Sequence, residues 1–307
     1  MKHAPLSSRL GYLSVVLAAM LWAASGSAAK FLFQNGISPF ELVQLRTTIA
    51  ASVLVAWGLL GRRPLLRPLL GSGGHDRIYF LALGAALAVA QFTYLFAISR
   101  IQVAAAILLQ YQAPVLIALY SVLFTRAKIT VITAGALIGA VLGCALMAGV
   151  WNFDLVGMNR AGIMSGLASA AAFALYSLRS EYGMRTYAPW PVVTSALLVA
   201  AVIWNIAYPP FSAFSAIAAG IHRHDGMVWI AVGFVGIFGT VLPFGLYNEG
   251  IKRIHATHAS ITATLEPVMA GIIAYFLLGE LMEGVQAAGA LIVIASIVLL
   301  QLGQQRA

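Results

Sequence analysis

Apolar residues in this chain come in long unbroken blocks, without the alternation of a strand or the single stripe of a surface helix. Ten blocks are each close to the roughly 20 residues a helix needs to cross a hydrocarbon core of about 30 Å. They cover residues 11–33, 39–60, 78–98, 103–124, 129–150, 161–178, 189–209, 228–251, 256–278 and 284–302. The pattern predicts an all-α membrane protein with ten transmembrane helices. In the first block Ser27, Ala28 and Ala29 precede Lys30, which is similar to a signal-peptidase site. Its apolar run from Tyr12 to Phe33 is longer than a signal core and nine more blocks follow, so a retained helix is expected.

Composition sharpens this reading. Of 307 residues, 61% are hydrophobic and 9% charged, against about a quarter charged in soluble domains. A soluble fold of this length has no interior able to hide that surface, so the surplus faces the lipid bilayer. The formal charge of +9 does not point to nucleic acid, because the basic residues sit in short segments between blocks. Lys2, Arg9, Arg62, Arg63, Arg67, Arg77, Arg126, Lys128, Arg179, Arg185, Lys252, Arg253 and Arg306 fall on one side, and only Lys30, Arg100, Arg160 and Arg223 on the other. Thirteen against four predicts cytoplasmic termini by the positive-inside rule. The inner connection at residues 61–77, containing RRPLLRPLLGSGGHDR, reads as a linker rich in helix breakers. Cys144 has no second cysteine to pair with and is expected to be a packing residue.

The blocks also repeat. With Pro114 set over Pro267, Tyr94 falls over Tyr247, Ile98 over Ile251, Arg100 over Arg253, Ile101 over Ile254, Ala106 over Ala259 and Val115 over Val268. After a one-residue gap Gly135–Ile138 lies over Gly289–Ile292, and Gly11 and Ser14 match Gly162 and Ser165. A cytoplasmic segment at 1–10 is thus followed by five-helix units at 11–150 and 161–302. Five is odd, so the second unit enters the membrane in the opposite sense. Two inverted halves can expose one central site alternately to either face, an arrangement of use to a carrier.

The run TATLEPVMAGIIAYFLLGELMEGVQAAGALIVIASIVLL, from Thr262 to Leu300, resembles the closing helices of the EamA family in the drug/metabolite transporter superfamily. Pro267, the Gly279–Glu280 pair and the Gly289 stretch carry the likeness, and FELVQLRTTIA around Arg46 is similar to the family's first half. The first unit departs from the pattern, with Thr125 and Arg126 where the second has Gly279 and Glu280. The resemblance implies a ten-helix, inverted-repeat inner-membrane permease, commonly an exporter of amino acids or other small metabolites. Import, or exchange as in related nucleotide-sugar carriers, stays open.

Energy coupling and chemistry are read from the whole chain. It has no GxxxxGK[ST] phosphate loop, and GSGG at 71–74 lacks the lysine and helix that would cradle phosphates, so no ATP and no cofactor are expected. HExxH and GxSxG are also missing, which argues against an enzyme. His222 and His224 in an outer loop read as a solvated turn, and no metal site is expected. A passive channel or structural membrane protein is the other class, distinguished by lack of saturation and counterflow.

Polar groups at membrane depth are costly and mark a path. The ninth block holds two stripes, His258 with Thr262 and Glu266, and Thr257 with Ser260 and Thr264. The Glu266 stripe is expected to face a cavity, since a threonine hydroxyl can bond its own helix whereas a carboxylate cannot. Proton and substrate would then compete for Glu266, which makes the proton a candidate coupling ion. In the fourth block Gln110 shares a face with Pro114, while Gln110, Tyr111 and Gln112 fan too widely to line one site. Gln91, Tyr94 and Tyr247 add amide and phenol groups, suited to a small zwitterionic or amide-bearing solute or to gluing helices together. Arg46, two turns inside the second block, is read equally as a substrate-carboxylate ligand or a pin between helices. Lys30 and Glu41 are expected to pair, as are Glu249 and Arg253 at the i, i+4 spacing. Gly135, Gly139 and Gly143 predict a close helix seam. Gly233, Gly236 and Gly239 ahead of Pro243 predict a bend.

Overall fold

The computed structural model describes residues 5–61, 63–70, 74–125, 129–152, 159–208, 225–278 and 282–305, and every regular element among them is helical. Arg62, Arg126, Lys128, His222, Arg223, His224, Gly279 and Glu280, named above for topology, metal binding or family likeness, lie outside the described residues, as do Lys2 and Arg306. The helices are α1 Pro5–Gln34, α2 Pro39–Leu60, α3 Arg67–Leu70, α4 Gly74–Arg100, α5 Val103–Gln110, α6 Ala113–Thr125 and α7 Val131–Ala148. They continue with α8 Arg160–Gly183, α9 Pro189–Ala207, α10 Asp225–Gly236, α11 Leu242–Ala263, α12 Glu266–Leu278 and α13 Gly284–Gln305.

Local sequence explains the ends. Gly36, at φ 88°, takes the left-handed turn that stops α1. Two residues later Ser38 caps α2: its Oγ accepts from Glu41 N at 3.2 Å, and Ser38 N donates to Glu41 Oε2 at 2.7 Å. Glu41 therefore closes a capping box, and the expected ion pair with Lys30 is not among the described pairs. Glu249 and Arg253 do pair, at 2.5 Å.

Nine helices among the described residues are long and apolar enough to cross a membrane. The count differs from ten because one run, Gly226–Ala263, spans 38 residues, about 57 Å if straight at 1.5 Å per residue. It is not straight. A π turn occupies Ile237–Val241, ahead of Pro243; of the glycines that predicted a bend, Gly233 and Gly236 precede the turn and Gly239 lies within it. His255, at φ 66°, is non-helical and separates two helical arms. Gly11 of α1 abuts Ile254, Gly250 abuts Val15 and Trp22 packs on Tyr247, so α1 and the first arm run antiparallel. Beyond His255 the order reverses, with Tyr12 hydrogen-bonded to His258 at 3.0 Å while Trp22 and Gly26 share a cavity with Ala263 and Glu266.

The fourth and ninth blocks are each interrupted, at Tyr111–Gln112 and at Thr264–Leu265. The cause is common to both: Pro114 and Pro267 lack the N–H that would bond the carbonyl four residues back.

The three most extensive helix pairings are α1 on α11, α4 on α8, and α7 on α13. A methyl on Gly11 would lie 2.7 Å from Ile254 Cγ2 and 2.8 Å from Arg253 Cβ; one on Gly162 would lie 2.7 Å from Ile101 Cγ2 and 3.0 Å from Arg100 Cβ. Each matched glycine thus packs on the matched pair of the other half. In the α7–α13 seam Gly143 meets Gly289 and Gly139 meets Ser296, whereas among the described residues Gly135 has no neighbour within 4 Å of a methyl. Cys144 is buried. Large apolar side chains such as Leu123, Phe124, Leu291 and Phe276 stand exposed on the outside, a surface stable only in lipid. This is a multi-pass membrane protein.

Candidate functional site

A cavity of about 810 Å³ of atom-free space, counting its open side, lies where α1, α2, α4, α8, α11 and the two helix breaks converge. Its geometry begins with prolines. Pro243 cannot bond the Gly239 carbonyl. Arg46 supplies the missing donor from α2: Nη2 donates to Gly239 O and Nε to Thr240 Oγ1, each at 3.0 Å. Thr240 Oγ1 in turn donates to Val235 O at 2.8 Å, closing the π turn. Arg46 is 7% exposed and lines the cavity, so it holds a helix of the other half while bordering the space.

Pro267 likewise leaves the Ala263 carbonyl without its helical partner. The Tyr111 hydroxyl lies 3.1 Å from that oxygen and 2.8 Å from Glu266 Oε2. One hydrogen serves two acceptors. Tyr111 donates to Glu266 when that group is a carboxylate; when Glu266 carries a proton it can donate to Tyr111, whose own hydrogen is then free for Ala263 O. Glu266 is the first residue of α12, where unpaired N–H groups favour an anion.

Of the residues marked from sequence, Arg46, Gln91, Tyr94, Gln110 and Glu266 come together on this wall. Three stand elsewhere. Thr262 is fully buried and donates to His258 O at 2.8 Å; His258 meets Tyr12; Tyr247 is fully buried, 3.0 Å from Ser177 Oγ, behind the rings of Trp22 and Phe173.

The cavity also brings together residues that the sequence reading set on different faces or did not name. Ser260, Ala263 and Glu266 face it together. That face is centred on apolar Ala263, between the two polar stripes, so sorting polar residues alone hid it. Tyr111 joins Gln110 because the helix breaks at Tyr111–Gln112, which relaxes the angular fan of a continuous helix. An aromatic wall completes the space: Trp22 sits edge-on to Phe244 at 5.2 Å and to Phe173 at 6.1 Å. Among the described residues no cluster of histidine, cysteine, aspartate or glutamate has metal-binding geometry.

Residues 9–149 and 160–302 each match the EamA-like transporter family. The chain belongs to that family. YicL of Salmonella typhimurium (strain LT2), an uncharacterized inner membrane transporter, is 27% identical over 98% of both chains. An uncharacterized transporter of Archaeoglobus fulgidus is 30% identical over 95% of this chain and 96% of its own. The threonine/homoserine exporter RhtA of Escherichia coli (strain K12) is 24% identical over 91% of this chain and 88% of its own. A solved crystal structure 20% identical in sequence superposes with a TM-score of 0.76 over 98% of both chains, a likeness of fold. The cavity described above is therefore the interior of an EamA-like membrane transporter.

Proposed function

We propose that this EamA-like transporter exports a small polar metabolite such as an amino acid across an inner membrane, by alternating access and without ATP. The observation that carries the reading is that Arg46 and Glu266 both line one cavity. A guanidinium suits a carboxylate and a carboxylate suits an ammonium, so one zwitterion satisfies both. RhtA, a relative by sequence, is named an exporter of threonine and homoserine. Competition between proton and substrate for Glu266 is the coupling we favour.

Alternating access rests on ten spans in two inverted halves. Support comes from the family's double match, from the reversal of contact order along α1 at His255, and from the exchanged glycine contacts of Gly11 and Gly162. Basic residues concentrated on one side support cytoplasmic termini.

The test compares external metabolites of cells with and without the gene, then assays the hits for counterflow in liposomes holding the purified protein. Saturable counterflow that Arg46→Ala abolishes, and that Glu266→Gln either abolishes or makes independent of pH, is the expected result. Flux that is linear in concentration and indifferent to both substitutions would mean a passive pore; counterflow without net efflux would mean an exchanger.

A further inference from the structure

We infer that Gln91 sets the specificity of the cavity, selecting a zwitterion with a hydroxyl or amide in its side chain over the apolar isostere. This rests on the zwitterion reading above and names what that reading leaves open.

Gln91 is 4% exposed and lines the cavity, yet neither Nε2 nor Oε1 has a hydrogen-bond partner among the described residues. Other buried or half-buried amides are tied to the scaffold by at least one end. Asn205 Nδ2 donates to Thr48 Oγ1 and Ala201 O, each at 2.8 Å; Asn248 Oδ1 accepts from Tyr176; Gln44 donates to Tyr208 O. Gln91 therefore does not hold helices together. Buried amides are bonded as a rule, and one with both ends bare asks for a partner from the cavity.

An uncharged amide offers a donor and an acceptor at once. A carboxylate would use only the first and an ammonium only the second, and Arg46 and Glu266 already answer those charges. A hydroxyl or carboxamide uses both. In the empty state neither end of Gln91 is open to water. A solute hydroxyl that reaches the amide satisfies it, whereas a methyl leaves both ends bare. Rejection of the methyl analogue follows, because a site built to bond a group is left unpaired by its absence.

The two halves differ at this point. The offset that sets Tyr94 over Tyr247 sets Gln91 over Phe244, and both line the cavity. Phe244 is occupied by its edge-on contact with Trp22, leaving a flat apolar wall that accommodates a side chain without selecting it. Selection falls to the amide.

The test is equilibrium binding to the purified full chain in lipid nanodiscs, with the isosteric pairs threonine and valine, and serine and 2-aminobutyrate. The wild type is expected to bind the hydroxyl member at least about tenfold more tightly. Gln91→Leu should bring the ratio close to one while still binding the apolar member. Gln91→Met serves if the leucine variant does not fold. An unchanged ratio in the folded variant overturns the inference. A wild type that binds both members equally, and loses both on Arg46→Ala, overturns it while the zwitterion site stands. A wild type that binds no member of either pair, with counterflow of some other solute, removes the amino-acid reading and this inference together.

Discussion

Arg46 Nη2 donates to the Gly239 carbonyl at 3.0 Å, joining residues 193 positions apart. Pro243 created the vacancy that Arg46 fills. The contact makes Arg46 a bridge between the segment matched first by the family and the segment matched second, at the π turn that precedes Phe244 of the cavity lining. A solute carboxylate that attracts the guanidinium would draw on the group that holds the bend, which links binding to helix shape.

Arg46→Lys keeps a charge but loses the forked donor geometry. It is expected to destabilise the protein by about 1–3 kcal/mol, the usual cost of an unsatisfied buried carbonyl. In a Pro243→Ala background, where residue 243 regains an N–H for Gly239, the same change should cost less. Thermal unfolding in detergent of the four proteins of this cycle measures the coupling. Additive losses would separate Arg46 from the proline.

Glu266→Gln should fold and reach the membrane, and lose either substrate binding or the pH dependence of transport. Tyr111→Phe removes one donor to the carboxylate and leaves its charge, so transport should fall while pH dependence persists. Counterflow in liposomes between pH 5 and pH 8 reads both variants. Parental rate and profile in Glu266→Gln would make the carboxylate structural.

The α7–α13 seam gives a packing prediction. A methyl at residue 143 would lie 2.7 Å from Val293 Cγ2 and 2.8 Å from Gly289 O. Gly143→Leu is expected to cost about 1–3 kcal/mol or to prevent folding, by overpacking. Gly135→Leu, with open space around it, should be tolerated. Equal losses at the two positions would contradict the seam.

Glu181 of α8 grips the turn at His255: Oε1 lies 2.7 Å from His255 Nδ1, and Ala256 N donates to Oε2 at 3.0 Å. Glu181→Ala leaves the N–H at the start of the second arm uncapped and frees a non-glycine residue in the left-handed region. A loss of about 1–2 kcal/mol is expected. His255→Gly in that background should recover part of it, since glycine takes φ 66° without strain. Unfolding temperatures of the single and double variants decide.

The topology prediction is independent of the site. A reporter active only in the periplasm should be silent when fused after residue 306 or inserted in the loop at 61–77. Activity at either position would reverse the orientation read from the basic residues.

Hydropathy is a sum over neighbouring residues weighed against a bilayer of fixed thickness. The apolar blocks, the repetition that the family matches twice and the bend ahead of Pro243 are local properties, and one-dimensional sequence carried them, whereas the fourth and ninth blocks read there as continuous helices and break ahead of Pro114 and Pro267. Family likeness was legible for the same reason, in the Glu266–Pro267 and Gly289 stretches. Which face of each helix looks inward is another matter. It depends on rotation about the helix axis, and rotation is set by distant partners: Gly239 and Thr240 for Arg46, Ile254 for Gly11, Gly289 for Gly143. Tertiary structure alone therefore put Ala263 between Ser260 and Glu266 at the cavity, moved Tyr247, Thr262 and His258 behind it, brought Tyr111 onto Glu266, and made one bent 38-residue run of what the sequence divides between two blocks.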